Sequence, residues 1–343
     1  MLTDAIRKIR AGKNLLREEA EAAMEEILSG RSNDAEIADL LSALRDKGEA
    51  VEELAGFAQT MRRHAAPVFA AGRREKIATL VDTCGTGGLG SGTINVSTAA
   101  AFVVAGAGVP VAKHGNRSIT SRCGSADVLE TLGVKIELPA ERAGEAIEAI
   151  GIGFLFAPAI HTATKHAMAA RKLLGGHTVF NLLGPLTNPA EISAQIAGVF
   201  DPRFLELLAT AMGMLGVRRA FVVHGAEGLG EISISGETFV AELRNGEVRR
   251  ISVFPEDFGI ARAPREAIAG GSAAENAEFI RRVFAGERGP RREVVLINAA
   301  AALVAAGRAE NFREGTRLAE ESIDSGAAAA KLAALVEFTQ RYR

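Results

Sequence analysis

One stretch decides the fold of this chain, DTCGTGGLGSGTINVST at residues 82–98. It follows a short β-branched run, Ile77–Val81, and leads into an Ala-rich segment, so it predicts a strand, a turn and a helix in that order. The glycines at Gly85, Gly87 and Gly88 would let backbone N–H groups approach an anion such as phosphate. Because the spacing matches neither the dinucleotide GxGxxG pattern nor a P-loop, a plain tight turn explains these glycines equally well.

The same alternation of strand and helix continues outward from this stretch. Further predicted strands lie at Val109–Ala112, Val134–Leu138, Gln195–Val199 and Ala220–Val223. Predicted helices begin at Ser97 and span Ala126–Leu132, Ala140–Ile150 and Pro202–Leu215. This alternation favours an α/β fold with a mainly parallel central sheet that is covered on both faces. Beyond it, Ile232–Ile251 predicts an antiparallel hairpin around Asn245-Gly246, and Val294–Phe338 predicts a helical tail.

The N-terminal part of the chain has a different pattern, with apolar residues at helical spacing. Three short stripes predict three helices, at Ala20–Leu28, Ile37–Leu44 and Val51–Met61. Asn33 followed by Glu36 predicts a capping box at the start of the second helix. We therefore expect a small helical domain at residues 1–68 and a larger α/β domain at residues 69–343. Because the helical domain has few apolar residues, we expect it to pack on the rest of the chain or on a second copy.

Composition excludes several classes of protein. The 343 residues include 40 basic and 42 acidic side chains, and the formal charge of −2 excludes a chain-wide polybasic surface. The longest apolar run, Ala99–Ala112, is shorter than the ~20 residues that a membrane-spanning helix needs. Met1–Arg10 lacks the apolar segment of a secretory signal, so we expect a cytoplasmic protein. Cys84 and Cys123 have no metal-ligand spacing, and we interpret both as small buried thiols.

A second polar stretch, KHGNRSITSRCGS at residues 113–125, follows the next predicted strand. It combines three Lys or Arg side chains, one His and four hydroxyls, which is a set of groups suited to phosphate oxygens. A solvated basic loop would have the same composition. Phosphate binding is favoured over a solvated loop because both polar stretches follow the carboxyl ends of neighbouring parallel strands. Open α/β sheets bind ligands at this edge.

Four motifs together resemble the anthranilate phosphoribosyltransferase family. They are NVST at residues 95–98, KHGNR at 113–117, GFLFAP at 153–158 and NLLGPLTNP at 181–189. The resemblance extends over essentially the whole chain. It implies a nucleoside phosphorylase/phosphoribosyltransferase-like fold in which a small helical domain is joined to a larger α/β domain. It also implies a homodimer formed through the helical domains, with part of residues 165–190 packed on them.

The resemblance also implies an activity and its ligands. The family transfers the 5-phosphoribosyl group of phosphoribosyl pyrophosphate to the amine of anthranilate, with Mg²⁺, in the second step of tryptophan biosynthesis. Carried onto this chain, phosphoribosyl pyrophosphate would be bound by Gly85, Gly88, Leu89, Thr93, Asn95, Val96, Ser97, Thr98, Lys113, His114, Gly115, Asn116, Arg117, Ser118, Ile119, Thr120, Ser121 and Ser125. Anthranilate would be bound by Gly85, Asn116 and Arg171. Mg²⁺ would be held by Ser97 and Glu231.

Two positions depart from the family pattern. Leu89 and Gly230 each stand where the family usually has an acidic residue near the pyrophosphate and the metal. We therefore expect weaker Mg²⁺ binding, or binding of a single ion, and reduced activity or an altered Mg²⁺ optimum. We assign no general acid or base, because an aromatic amine is neutral at pH 7 and already nucleophilic. His114 is interpreted as a structural histidine bonded to backbone rather than as a proton relay.

Two other functions remain open at this stage. A related phosphoribosyltransferase or nucleoside phosphorylase with another acceptor would keep the phosphate-binding stretches without needing Arg171. A non-catalytic paralogue that binds nucleic acid is compatible with the two missing carboxylates. The formal charge of −2 speaks against nucleic acid as a partner.

Overall fold

The protein is described here as a computed structural model, which covers residues 2–87, 92–118 and 122–342. The helices in these ranges are α1 (Leu2–Arg10), α2 (Arg17–Leu28), α3 (Asp34–Lys47), α4 (Val51–Arg63), α5 (Val96–Gly106), α6 (Ser125–Thr131), α7 (Ala140–Ile150), α8 (Ala157–Ile160), α9 (Met168–Leu174), α10 (Val179–Leu183), α11 (Leu205–Met214), α12 (Ala273–Phe284), α13 (Pro290–Ala305), α14 (Phe312–Asp324) and α15 (Ala327–Gln340). The strands are β1 (Val81–Gly85), β2 (Val111–Gly115), β3 (Ile152–Phe156), β4 (Ala194–Gly198), β5 (Arg219–Gly225), β6 (Thr238–Arg244) and β7 (Glu247–Val253).

The described strands form one sheet in the order β3-β2-β1-β4-β5-β6-β7. The first five strands are parallel, and β6 and β7 are antiparallel to their neighbours. This arrangement confirms the predicted mainly parallel sheet. Since β2 and β3 lie on one side of β1 and β4 lies on the other, the strand order reverses between β1 and β4. In open α/β sheets this reversal opens a crevice at the carboxyl ends of the two strands.

The first two strands begin later than the sequence pattern predicted. β1 contains the polar residues Asp82 and Thr83, whereas the prediction ended that strand at Val81. Both side chains are fully buried and hydrogen-bonded, which removes the cost of placing polar groups in a central strand. β2 is displaced in the same direction, and it carries Lys113 and His114 inside the sheet.

The predicted strand at Val134–Leu138 is wrong. These residues connect α6 to α7 without pairing in the sheet. Val134 and Ile136 are buried against the C-terminal helices, and the backbone N–H of Lys135 donates to Thr339 Oγ1 at 3.1 Å. The alternation of apolar and polar residues therefore reflects packing on one side, not strand pairing. The third strand of the sheet is instead β3, which the sequence analysis treated only as part of a motif.

Several local predictions in the two halves of the chain are confirmed. The backbone N–H of Glu36 donates to Asn33 Oδ1 at 3.0 Å, and the Asn33 N–H donates back to Glu36 Oε2 at 3.0 Å. The hairpin turns at Asn245 and Gly246, both with positive φ. α1 was not predicted, although its buried residues Leu2, Ala5, Ile6 and Ile9 have helical spacing.

Two apolar cores lie on the opposite faces of the sheet. One contains α5 and the C-terminal helices. The other joins α1–α4 to residues on the opposite face of the sheet, such as Leu155, Ala197 and Val222. The helical domain thus packs on the rest of the chain, as its small apolar content predicted. None of the described helices is long and apolar enough to cross a membrane.

Candidate active site

The carboxyl ends of β1 and β4 meet where the strand order reverses. Gly85 at the end of β1 lies opposite Gly198 at the end of β4. A Cβ atom on Gly198 would lie 1.6 Å from the carbonyl oxygen of Gly230, so only glycine permits this close approach. The packing places the segment that carries Gly230 and Glu231 at the same edge of the sheet as the glycine-rich turn.

Lys113 connects three parts of this edge. Its buried ammonium donates to the carbonyl oxygen of Thr83 on β1 at 2.5 Å and lies 3.5 Å from Ser97 Oγ in the first turn of α5. Burial lowers the pKa of Lys113, and the charge of Asp82 opposes that shift. Strand β1, the first turn of α5 and strand β2 are therefore connected through one cation.

Asp82 holds the neighbouring backbone in place. Its Oδ1 accepts from the His114 N–H at 3.1 Å, and its Oδ2 accepts from Asn188 Nδ2 at 2.9 Å. Asn188 Nδ2 also donates to the carbonyl of Ala112 at 2.9 Å. Burial raises the pKa of Asp82, and the charge of Lys113 opposes that shift. Asp82 and Asn188, which the sequence analysis did not select, thus fix β1 against β2.

We use the name basic loop for the part of the second polar stretch that follows β2, residues 116–124. Acidic residues of α6 partly neutralise its charge. Arg117 Nη1 lies 3.1 Å from Asp127 Oδ1 and 2.9 Å from Glu130 Oε2. The side chain of Ser125 bonds to the backbone of Asn116 at 3.2 Å, and a Cβ on Gly115 would lie 2.2 Å from the same hydroxyl oxygen. Ser125 therefore holds the residue that follows β2, and the guanidinium of Arg117 is already paired with carboxylates.

The residues that lead into α5 are held from two sides. Thr93 pairs with Ala269 as an isolated bridge. Asn95 donates to the carbonyl of Cys123 at 3.2 Å and accepts from Asn276 Nδ2 at 2.9 Å. α5 begins at Val96, one residue before the predicted start, and Val96 is fully buried.

The remaining predicted ligands of phosphoribosyl pyrophosphate include those outside the described residues and Thr98. The predicted ligands Gly88, Leu89, Ile119, Thr120 and Ser121 lie outside the described residues. Thr98, in the first turn of α5, has a buried hydroxyl oxygen that bonds to none of the described residues.

Glu231 presents a carboxylate oxygen to which none of the described residues donates a hydrogen bond. Its Oε2 is inaccessible to solvent and unpaired, and burial raises the pKa of Glu231 to about 7, while Arg265 opposes that shift and Glu227 adds to it. A desolvated carboxylate oxygen without a donor fits a divalent cation that accepts oxygen ligands. Within the described ranges, no group of three or more His, Cys, Asp or Glu side chains forms a metal cluster.

Arg171 lies on α9, which packs on α3 of the helical domain. Its guanidinium carbon is 5.0 Å from the centre of the Phe180 ring, and its Nη1 is 3.8 Å from the Met168 sulfur. Burial lowers the pKa of Arg171. Among the described residues no carboxylate forms an ion pair with Arg171, so its guanidinium is available to an anionic ligand.

Comparison with known proteins identifies the family. Residues 77–329 match the model of the glycosyl transferase family a/b domain, and residues 3–65 match that of its helical bundle domain. The chain is 54% identical to an anthranilate phosphoribosyltransferase of Pelotomaculum thermopropionicum, over 99% of this chain and 97% of the relative. The chain belongs to the anthranilate phosphoribosyltransferase family. A Symbiobacterium thermophilum member is 53% identical, over 98% of each chain.

Solved structures of the family have the same fold. The anthranilate phosphoribosyltransferase of Thermus thermophilus superposes with a TM-score of 0.92 at 45% identity, covering 98% of this chain and 99% of that one. The Saccharomyces cerevisiae enzyme in complex with phosphoribosyl pyrophosphate and Mg superposes with a TM-score of 0.88 at 28% identity, covering 99% and 98%. These relatives confirm the predicted fold class, and their names favour neither of the two other functions.

Two histidines form a neutral pair beside the crevice of this family member. His114 Nδ1 lies 3.3 Å from the carbonyl of Gly184, the backbone contact expected of a structural histidine. The His114 and His161 rings meet edge to face with centroids 5.2 Å apart. Burial lowers the pKa of His114 to about 3 and that of His161 to about 4. His161 was not selected from the sequence, since a single His after a short apolar run has no distinguishing pattern.

Proposed function

We propose that this chain transfers the 5-phosphoribosyl group from phosphoribosyl pyrophosphate to the amine of anthranilate. The products are N-(5-phosphoribosyl)anthranilate and pyrophosphate, in the second step of tryptophan biosynthesis from chorismate. The observation that carries the proposal is the contact of Lys113 with both Thr83 and Ser97, since it unites the two polar stretches at one sheet edge. Membership of the family supplies the reaction.

The phosphate groups would lie along this edge. Lys113 supplies a buried positive charge, α5 directs the positive end of its helix dipole toward this edge, and Thr98 offers a buried hydroxyl that has no partner among the described residues. The remaining contacts would come from the predicted ligands of the glycine-rich turn and the basic loop. Arg117 would have to leave Asp127 and Glu130 to bind phosphate, and exposed ion pairs of this kind cost little to break.

Anthranilate would be oriented by its carboxylate. The guanidinium of Arg171 matches a planar carboxylate in two parallel hydrogen bonds, and this role is supported because no carboxylate of the described residues pairs with it. Asn116 and Gly85 would complete the site, because both lie at strand ends next to the crevice.

The chemistry needs positioning more than proton transfer. The C1–O bond to pyrophosphate breaks as the amine nitrogen forms its bond to C1, and the nitrogen then loses one proton to solvent or to the leaving group. Positive charge develops on the ribose and negative charge on pyrophosphate. Fixed N–H donors and the charge of Lys113 would stabilise the leaving group, and the orientation of anthranilate supplies much of the remaining rate increase.

Mg²⁺ would be held by Ser97 and Glu231, and when bound it neutralises charge on pyrophosphate. The unpaired Oε2 of Glu231 supports this assignment. Gly230 supplies no carboxylate, so we expect weaker Mg²⁺ binding or binding of a single ion. Calorimetric titration of Mg²⁺ with phosphoribosyl pyrophosphate should give single-site binding, and Gly230→Asp should strengthen it. Tight binding at two sites in the unaltered chain, or no change in Gly230→Asp, would contradict the expectation.

We also propose a cytoplasmic homodimer formed through the helical domain, residues 1–68. α9 contacts α3 and α10 contacts α4, which supports assigning part of residues 165–190 to this domain. Leu16, Met168 and Leu173 are exposed, Leu173 by 73%, which supports an apolar contact with a second copy. Sedimentation should show a dimer that Leu173→Glu weakens, whereas Phe239→Glu on β6 should leave it intact. A monomer in the unaltered chain would overturn this part of the proposal.

The activity is tested by pyrophosphate release from purified protein supplied with Mg²⁺. Release should depend on anthranilate, and absence of turnover would overturn the proposed function. A panel of other nitrogenous acceptors tests for a related transferase. If the chain is one, an acceptor in the panel should be turned over faster than anthranilate. Binding of single-stranded nucleic acid that weakens with salt would instead favour the non-catalytic function.

A further inference from the structure

The segment after Arg171 ends in an aromatic contact with the residues that follow β4. We use the name acceptor arm for residues 168–178, which comprise α9 and the loop that follows it. His177 in this loop stacks on Phe200 with ring centroids 4.1 Å apart and an interplanar angle of 7°. Phe200 in turn meets Phe204 edge to face at 5.1 Å. The stack therefore joins the acceptor arm to the segment that follows β4.

Phe200 is also bonded to the glycine-rich turn. Its backbone N–H donates to Thr86 Oγ1 at 3.1 Å, and the N–H of Thr86 donates to the carbonyl of Gly198 at 2.9 Å. Thr86 immediately precedes Gly87, which has φ +64°. A displacement of Phe200 would thus be transmitted to the start of the phosphate-binding turn.

α9 fixes the acceptor arm at one end, and His177 adds a contact with the segment that follows β4 at the other end. Between Arg171 and His177 lie Gly175 and Gly176, with φ of +60° and +69°, and a Cβ at either position would have no atom within 4 Å. Two consecutive glycines in open space impose little restraint on the chain. α9 itself packs on α3, in the helical domain, whereas Phe200 lies two residues after the end of β4.

We propose that the stack of His177 on Phe200 is a positioning contact for Arg171. It holds the acceptor arm against the sheet, so that the guanidinium faces the anthranilate carboxylate next to the phosphoribosyl group. The proposal deepens the proposed function and rests on it, because it takes Arg171 as the group that binds the acceptor. His177 and Phe200 are positioning residues and do not touch the reacting atoms.

The first test compares His177→Ala, Phe200→Ala and His177→Phe. Loss of an aromatic stack should raise the KM for anthranilate roughly 2- to 10-fold and leave the affinity for phosphoribosyl pyrophosphate within about twofold. His177→Phe keeps a ring and should restore most of the anthranilate affinity. The matched control is Phe338→Ala, which removes a comparable aromatic contact, at 5.5 Å from Tyr342, on α15.

A double-mutant cycle separates positioning from a merely structural role. If His177 acts through Arg171, His177→Ala should have almost no further effect on anthranilate KM in an Arg171→Ala background. Additive effects of the two substitutions, or an unchanged KM in His177→Ala, would overturn the proposal.

Hydrogen exchange tests the same contact without turnover. In the ligand-free protein, His177→Ala and Phe200→Ala should increase amide exchange in residues 172–178 relative to Phe338→Ala. Unchanged exchange would overturn the proposal even in a protein without activity. An inactive but correctly folded wild-type chain would overturn the proposed function alone, so the two failures are distinguishable.

Discussion

Lys113 and Arg171, the two cations assigned to opposite ends of the proposed reaction, are held in different ways. Lys113 is buried within β2, donates to a backbone carbonyl at 2.5 Å and has Asp82 as an opposite charge nearby. Arg171 rests on the face of Phe180 and beside the sulfur of Met168, and among the described residues it has no carboxylate partner. The sheet positions the first side chain, whereas a short helix joined to two glycines carries the second.

The difference indicates how the two substrates are handled. A cation fixed before the substrate arrives needs no reorganisation when negative charge develops on the leaving group. A guanidinium without an ionic partner gains its partner only when a carboxylate binds, so its position depends on contacts of the acceptor arm. We therefore expect changes on the Lys113 side to lower turnover, and changes on the Arg171 side to weaken anthranilate binding.

The largest effect is expected for Lys113→Met. Removal of one fixed charge next to the leaving group should lower kcat roughly 10²- to 10³-fold. Pyrophosphate release at saturating substrates measures it, and circular dichroism checks the fold. The matched control is Lys331→Met, since Lys331 also donates to a backbone carbonyl, that of Ile150 at 2.7 Å, on α15. Full activity of Lys113→Met would show that Lys113 does not stabilise the leaving group.

A smaller effect, on binding, is expected for Arg171→Ala. Loss of a charge-assisted hydrogen bond should lower kcat/KM for anthranilate roughly 10- to 100-fold, mainly through KM. Aniline lacks the carboxylate, so the variant should no longer prefer anthranilate over aniline. Lys172→Ala, an exposed neighbour on α9, serves as the control. If kcat fell with KM unchanged, Arg171 would act on turnover, as Lys113 is expected to do. The proposed difference between the two cations would then be wrong.

The smallest effect concerns stability on the rigid side of the site. Burial lowers the pKa of His161 to about 4, whereas an unfolded chain takes up a proton near pH 6.5. Acidification below pH 6.5 therefore favours the unfolded state, and His161 should contribute a loss on the order of 1–2 kcal/mol between pH 6.5 and 4.5. Urea midpoints should fall less steeply over this window in His161→Gln than in the unaltered chain. Equal slopes would show that His161 is not the titrating group.

Local patterns in the sequence predicted most elements that depend on neighbouring residues. The Asn33 capping box, the Asn245-Gly246 turn and the α-helical tail are of this kind, since short-range hydrogen bonds and backbone conformation determine them. The pattern failed at Val134–Leu138, where packing against the C-terminal helices mimics strand alternation. It also failed to find β1 in full, because buried Asp82 and Thr83 are compatible with a strand only when distant partners satisfy them.

The sequence by itself determined the family, the alternation of strand and helix, and the residue types that suit phosphate and a carboxylate. Only the tertiary structure decided that Arg117 is paired with Asp127 and Glu130 while Arg171 has no carboxylate partner among the described residues. The tertiary structure also decided that Gly198 and Gly230 meet, and that His177 reaches Phe200. The reason is physical: charge pairing, burial and ring stacking depend on distances between residues far apart in the chain, which the reversal of strand order between β1 and β4 brings together.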